Sequence, residues 1–120
     1  MLVLVNFAVK RSRAYCFPRL LLSYSYVVEF DWAEAKAASN LTKHEVGFEE
    51  ATTGFDNPLA VIFDDEKHST DERREIIIGH SQRNRLLLVS FTERAHAVRL
   101  ISARLATRKE RKAYEENALP

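Results

Sequence analysis

The chain has 120 residues, 46% of them hydrophobic, and a formal net charge of +1. This length supports one hydrophobic core and is too short for two, so a single folded domain is predicted. Cys16 is the only cysteine, which excludes an internal disulfide or a cysteine-rich zinc site and is typical of a reducing compartment such as the cytoplasm.

Charge is divided unevenly along the chain. Residues 31–75 contain twelve acidic and five basic side chains, whereas residues 76–120 contain nine basic and four acidic ones. Because local potential steers a charged partner, we expect a polyanion such as RNA to bind the second half.

The first 28 residues contain two apolar runs, MLVLVNFAV and LLLSYSYVV, and both are too short to span a membrane. Basic residues follow the first run, whereas a secretory signal carries them in front of it. We therefore interpret residues 1–28 as an extension, or as translation from an upstream start, and assign residues 29–120 to the main domain. A peripheral membrane anchor is the alternative.

Two helices are predicted at the beginning of the main domain. Asp31 and Glu34 have the spacing of a capping box, so a helix of about ten residues should follow Asp31. Apolar residues then recur at helical spacing between Phe48 and Phe55, which indicates a second, short helix that cannot continue through Pro58.

Four β-branched or aliphatic runs follow, separated by polar segments, and they predict adjacent antiparallel strands. The runs are Leu59 to Phe63, Arg74 to Ile78, Leu86 to Phe91 and Val98 to Ala103. The first run has no polar residue and is expected to be buried on both faces.

Thr107 and Glu110 repeat the capping-box spacing and predict a last helix. The expected fold is therefore α+β, with two N-terminal helices, a four-stranded antiparallel sheet and a C-terminal helix. We expect the helices to cover one face of the sheet and to leave the other face free for a ligand.

Two segments, FDWAEAKAASNLTKHEVGFEEA (30–51) and RLISARLATRKERKAYEE (99–116), resemble the BrnT family of bacterial toxins. The resemblance covers about residues 28–117. The matching positions are Asn40-Leu41, Lys43-His44, Phe48, Phe55, Gly79, Thr92-Glu93 and Arg99 to Arg104. Two positions depart from the family pattern: Glu45 replaces the usual glycine and Asn57 replaces the usual aspartate.

The resemblance implies a compact RelE-like fold and the toxin of a type II toxin–antitoxin system, a class involved in stress responses. Such a toxin is an endoribonuclease that cleaves RNA without a metal ion or cofactor and arrests translation in the cytoplasm. The implied partners are the RNA substrate and a BrnA-type antitoxin with a ribbon-helix-helix part. Operator DNA would be contacted only through the antitoxin, and no membrane is involved.

RNA cleavage without a metal requires a group that takes the 2'-hydroxyl proton, cations that balance charge on the phosphorane and a group that protonates the 5'-oxygen. Lys43 and His44 follow the first predicted helix, and histidine exchanges protons near neutral pH. We predict that both are catalytic, with His44 as acid or base. The alternative for His44 is a residue that caps the helix end.

Arginine has a planar fork of donors that matches phosphate oxygens, so Arg99 and Arg104 are predicted catalytic residues around Glu93 as a base. The alternative is a set of ion pairs on a solvated sheet face. For Arg74, the resemblance favours a catalytic role, and the alternative is an edge-strand charge that discourages aggregation.

Five further basic residues are predicted to bind the RNA backbone, because those in the last helix oppose the helix dipole and contribute nothing to its stability. They are Arg94, Arg108, Lys109, Arg111 and Lys112. An ordinary solvated helix face is the alternative.

The loop that contains His68 and several acidic residues is not interpreted as a metal site, because it lacks the spacing of known sites. A rival to the enzyme is a decayed toxin that binds antitoxin or RNA without cleaving it. Glu45 supports this rival, because its carboxylate lies next to His44 in the sequence and a non-glycine residue strains a tight turn.

Overall fold

The computed structural model describes residues 2–7, 10–11, 24–94 and 97–117, with side chains from Val28 onward. The helices are α1 (Glu34–His44), α2 (Phe48–Gly54) and α3 (Arg108–Glu115), and a short 3₁₀ helix spans Glu66–His68. The strands are β1 (Leu2–Phe7), β2 (Lys10–Arg11), β3 (Tyr24–Asp31), β4 (Val61–Asp64), β5 (Glu75–His80), β6 (Leu86–Arg94) and β7 (Ala97–Leu105).

The strands form one mixed sheet in the order β1-β3-β7-β6-β5-β4-β2. Strands β4 to β7 are the predicted antiparallel meander. The prediction of a four-stranded, wholly antiparallel sheet is nevertheless wrong, because β3 pairs parallel to β7 and β2 pairs parallel to β4. The boundary expected between residues 28 and 29 falls inside β3.

The two predicted capping boxes had opposite outcomes. Asp31 ends β3, and Ala33 precedes α1 without a side-chain cap, so the prediction at Asp31 is wrong. The box at α3 is confirmed: Glu110 N donates to Thr107 Oγ1 over 3.1 Å, and Thr107 N donates to Glu110 Oε1 over 2.9 Å.

The core lies between the sheet and the pair α1 and α2. Phe55 is at its centre, with its ring centroid 5.0 Å from that of Phe30 and 5.1 Å from that of Phe91, both in edge-to-face geometry. In β4 only Ile62 is fully buried, so the expectation of a strand buried on both faces is wrong.

Buried Asn40 fixes α1 to β7. Its Nδ2 donates to Val46 O (2.9 Å) and Ala103 O (2.8 Å), and its Oδ1 accepts from Ala103 N (3.0 Å). The following turn contains Glu45 with φ 58°, a left-handed conformation that favours glycine. The strain expected from the missing glycine is therefore present at the end of α1.

Helix α3 lies on the opposite side of the sheet from α1 and α2, so the expectation that all helices share one face is wrong. Its Tyr114 hydroxyl donates to Leu59 O over 3.0 Å, and the Tyr114 ring packs 5.8 Å from His80. His80 alternates with core residue Ile77 along β5 and therefore points away from α1 and α2. We call this side of the sheet, which α3 covers only in part, the open face.

Candidate active site

A concavity of about 360 Å³ lies on the open face, a volume within the range of about 300–1,000 Å³ that is usual for ligand sites. Its polar lining residues are Asp65, His68, Arg74, Ser90, Ser102 and Arg104, and its apolar ones are Ile76, Leu88 and Ile101. The concavity therefore combines two guanidinium groups, an imidazole, a carboxylate and two hydroxyls.

A β-bulge shapes the floor of the concavity. Ser90 is opposite Ser102, but the next residue, Phe91, is opposite Leu100, so Ile101 is an extra residue in β7. The insertion breaks the alternation of side chains and directs both Ile101 and Ser102 toward the open face. Leu100 remains in the core on the other side.

Arg104 is held at the edge of the concavity by α3. Its Nη1 and Nη2 donate to Glu110 Oε1 and Oε2 over 2.7 and 2.9 Å, and Nη1 also donates to Leu105 O. The bonds from Arg104 are the largest cause that lowers the pKa of Glu110 from 4.5 to about 2, and they raise the pKa of Arg104. The described contacts use three of the five N–H donors of Arg104, so two remain for a phosphate.

Arg74 immediately precedes β5 and lines the concavity. Its backbone N–H donates to Ser69 Oγ over 2.9 Å, and its carbonyl accepts from Asp65 N over 3.0 Å. Its guanidinium forms no ion pair with the residues that the structure describes, in contrast to the guanidinium of Arg104.

A second group of arginines lies at the neighbouring end of the sheet. Arg94 donates to both oxygens of Glu72, at 3.0 and 2.8 Å, and Arg99 Nη1 lies 3.4 Å from Asp31 Oδ1 without hydrogen-bond geometry. The bond from Arg94 is the largest cause that lowers the pKa of Glu72, and attraction by the charges of Arg94, Arg74 and Arg99 adds to it. The structure therefore brings three predicted arginines together beside Glu72.

Other predicted catalytic residues lie elsewhere. Glu93 is exposed opposite Val98, and by alternation it points away from the side occupied by Arg94. Lys43 and His44 end α1, which packs on the opposite side of the sheet. None of these three residues is among the described residues that line the concavity.

The predicted RNA-binding residues of α3 are exposed, on the helix that borders the concavity through Glu110. They are Arg108, Lys109, Arg111 and Lys112.

Sequence reasoning missed His68. Its imidazole Nδ1 lies 3.0 Å from each carboxylate oxygen of Asp65, three residues earlier. The surrounding acidic residues were tested only as metal ligands, and no group that could hold a metal ion occurs within the described ranges. A histidine three residues after an aspartate, in a loop that leads to Arg74, was the signal available.

No helix within the described part of the chain is both long and apolar enough to cross a membrane.

Comparison with known proteins identifies a family and a solved structure of similar fold. The family model for “Ribonuclease toxin, BrnT, of type II toxin-antitoxin system” matches residues 32–110. The crystal structure of the Brucella abortus ribonuclease toxin BrnT is similar to this chain with a TM-score of 0.53 and 23% sequence identity, and the match covers 68% of this chain and 99% of that chain. This structural likeness shows a shared fold. No curated protein matches.

Proposed function

The chain belongs to the BrnT family of ribonuclease toxins of type II toxin–antitoxin systems, and from this premise we propose that it cleaves RNA on the open face of its sheet. In this proposal cleavage needs no metal ion and arrests translation in the cytoplasm. A BrnA-type antitoxin with a ribbon-helix-helix part holds the toxin inactive, and operator DNA is contacted only through that antitoxin.

The observation that carries the proposal is the pair Arg74 and Arg104 in one concavity. Cleavage by the 2'-hydroxyl passes through a phosphorane that carries more negative charge than the ground state. Guanidinium groups fixed before the reaction stabilise this charge without reorganisation. Arg74 has no carboxylate partner among the described side chains, so it is the better placed of the two to bind the scissile phosphate.

RNA on either side of the scissile phosphate has two basic regions to follow. Arg94 and Arg99 lie toward one end of the sheet, while the exposed cations of α3 continue from Arg104. Arg94 and Arg99 are already paired with carboxylates, so a phosphate must compete with Glu72 or Asp31 to reach them. We propose that they contribute less than Arg74.

The proposed catalytic roles of Lys43, His44 and Glu93 rest on the sequence and the family resemblance, because these residues lie outside the concavity. The proposed main domain of residues 29–120 likewise rests on the resemblance. The family match begins at residue 32, three residues after that proposed boundary.

The direct test is digestion of a defined single-stranded RNA by the purified chain in excess chelator. We expect cleavage that leaves 2',3'-cyclic phosphate and 5'-hydroxyl ends, and we expect an equimolar amount of the cognate antitoxin to stop it. Cleavage that appears only after magnesium is added would contradict metal independence but would still support the ribonuclease proposal. No cleavage under either condition would overturn the proposal.

A second experiment tests the cellular role. Induction of the chain alone should arrest growth and reduce protein synthesis, and co-expression of the antitoxin should restore both. Arrest that the antitoxin does not relieve would contradict the proposed partner.

One observation favours the alternative, a catalytically decayed toxin that binds antitoxin or RNA without cleaving it. Glu45 occupies a left-handed turn next to His44, where glycine is the residue without strain. A decayed toxin should gain RNA cleavage when this position is returned to glycine, whereas an active one should cleave RNA unaltered.

A further inference from the structure

The imidazole that lines the concavity belongs to His68, at the end of the short 3₁₀ helix, and not to His44 at the end of α1. His68 is the only histidine among the described residues around this space, and it shares the space with Arg74 and Arg104. An acid or base for RNA cleavage must lie within reach of the phosphate that the arginines bind. His68 lines the same concavity as both arginines, which places it on the side of the sheet where that phosphate would bind.

Asp65 determines the tautomer of the His68 imidazole. Both carboxylate oxygens lie 3.0 Å from His68 Nδ1, and an ionised carboxylate only accepts hydrogen bonds. Nδ1 must therefore carry hydrogen and donate it. In the neutral ring Nε2 is then left with its lone pair, which is the form that accepts a proton from a hydroxyl.

Hydrogen bonds of the Ser69 hydroxyl and of the backbone join this pair to Arg74. Ser69 Oγ donates to Asp65 O over 2.7 Å and accepts from Arg74 N over 2.9 Å, and Asp65 N donates to Arg74 O over 3.0 Å. The carboxylate and the arginine therefore belong to one closed loop. These bonds hold the backbone of Arg74 close to the segment that carries the imidazole.

The side chains of His68 and Asp65 differ in solvent exposure. The side chain of His68 is 65% exposed and that of Asp65 is 12% exposed. An ion pair this accessible contributes little to stability, so stability gives no sufficient reason for the arrangement. Exposure also leaves the ring accessible to a polymer that binds from solvent.

We propose that His68 is the general base of the cleavage reaction and that Asp65 is its positioning residue, an inference that rests on the proposed ribonuclease function. His68 Nε2 takes the proton of the 2'-hydroxyl while the 2'-oxygen forms a bond to phosphorus. The bond from phosphorus to the 5'-oxygen breaks, and that oxygen takes a proton from solvent water. The products are a 2',3'-cyclic phosphate and a 5'-hydroxyl, and His68 returns its proton to solvent.

The charged groups around His68 suit this step. Asp65 stabilises the imidazolium that forms, while Arg74 and Arg104 balance charge on the phosphorane. Glu110 neutralises part of the charge of Arg104, which limits repulsion between that guanidinium and the imidazolium.

The test is His68→Ala in the full chain, assayed on defined RNA at saturating concentration. We expect kcat to fall roughly 100-fold or more with KM changed less than about threefold, since general base catalysis contributes about 10²–10⁴-fold. Free imidazole should restore much of the lost rate, because it can occupy the space left by the ring. Rescue by imidazole distinguishes proton transfer from a structural role.

Lys67→Ala is the matched control, because Lys67 is the exposed neighbour of His68 in the same helical turn. It should leave kcat within about twofold of the unaltered chain. Asp65→Asn should lower kcat by roughly 10²-fold or more at similar KM, because an amide can donate to Nδ1 and favour the wrong tautomer.

The results of these cleavage assays distinguish the role of His68 from the proposed ribonuclease function. An unaltered chain that does not cleave RNA would overturn both. An active unaltered chain with an equally active His68→Ala variant would overturn the role of His68 and leave the ribonuclease proposal intact. Loss in His44→Ala that imidazole restores, without such loss in His68→Ala, would assign the base to His44 and overturn the inference.

Discussion

Replacing Glu110 with glutamine should destabilise the protein at neutral pH by removing the charge that holds Arg104. Glutamine preserves the size of the side chain and can keep the capping bond to Thr107, so the change isolates the ion pair. The pKa of Glu110 falls from 4.5 to about 2, a difference that corresponds to about 3 kcal/mol. Because Arg104 is 36% and Glu110 28% exposed, solvent screening reduces our expectation to about 1–2 kcal/mol.

The pH dependence follows from the direction of the shift. A carboxyl group with a lowered folded-state pKa adds its full stability above pH 4.5 and loses it as the pH falls through about 2. Urea unfolding of both proteins at pH 7, 4.5 and 3 should therefore give a difference that is largest at pH 7 and shrinks toward pH 3. Equal stability at pH 7, or a difference that does not change with pH, would refute the reasoning.

Three further predictions concern α1, the turn after it and α3. Asn40→Ala should lower the free energy of unfolding by about 2–4 kcal/mol in urea titrations, because the buried backbone groups of Ala103 lose their partners. The exposed control Leu41→Ala should change the free energy of unfolding by less than about 0.5 kcal/mol. Similar values for the two variants would contradict this prediction. Glu45→Gly should raise the unfolding free energy by about 0.5–1 kcal/mol by removing the left-handed strain, and a large simultaneous gain in RNA cleavage would favour the decayed toxin. Lys109→Ala should weaken RNA binding and reduce the slope of log affinity against log salt by about 0.7, and a slope equal to that of the unaltered chain would exclude a phosphate contact.

Sequence signals predicted the structure correctly where the interacting residues are close together in the chain. Thr107 and Glu110 form their capping box because both partners lie within one helical turn. Asp31 has the same spacing to an acidic residue, yet it joins β3 opposite Arg99 in β7. The conformation of Asp31 is determined by strand pairing with a residue far away in the sequence, and the spacing of Asp31 and Glu34 could not predict that pairing.

The candidate site was predictable to a similar extent. The sequence predicted Arg74 and Arg104 as catalytic residues, and both line the concavity on the open face. The carboxylate partner of Arg104 depends on how α3 folds back over the sheet, so spacing in the sequence did not reveal it. His68 was missed because its loop was interpreted by composition, whereas its place in the concavity depends on the hydrogen bonds of the Ser69 hydroxyl that close that loop.

The most direct measurement of the open-face site compares single-turnover RNA cleavage in chelator by the unaltered chain, Arg74→Ala and Arg83→Ala. Arg83 is a matched control, because it is an arginine on the turn between β5 and β6, away from the concavity. Its side chain is 72% exposed, and its Nη1 lies 3.6 Å from Glu50 Oε1. Arg74→Ala should lower the cleavage rate by roughly 10²–10³-fold, the usual effect of removing one donor that stabilises transition-state charge, while Arg83→Ala should stay within about twofold. Equal rates for Arg74→Ala and the unaltered chain would contradict cleavage in the open-face concavity.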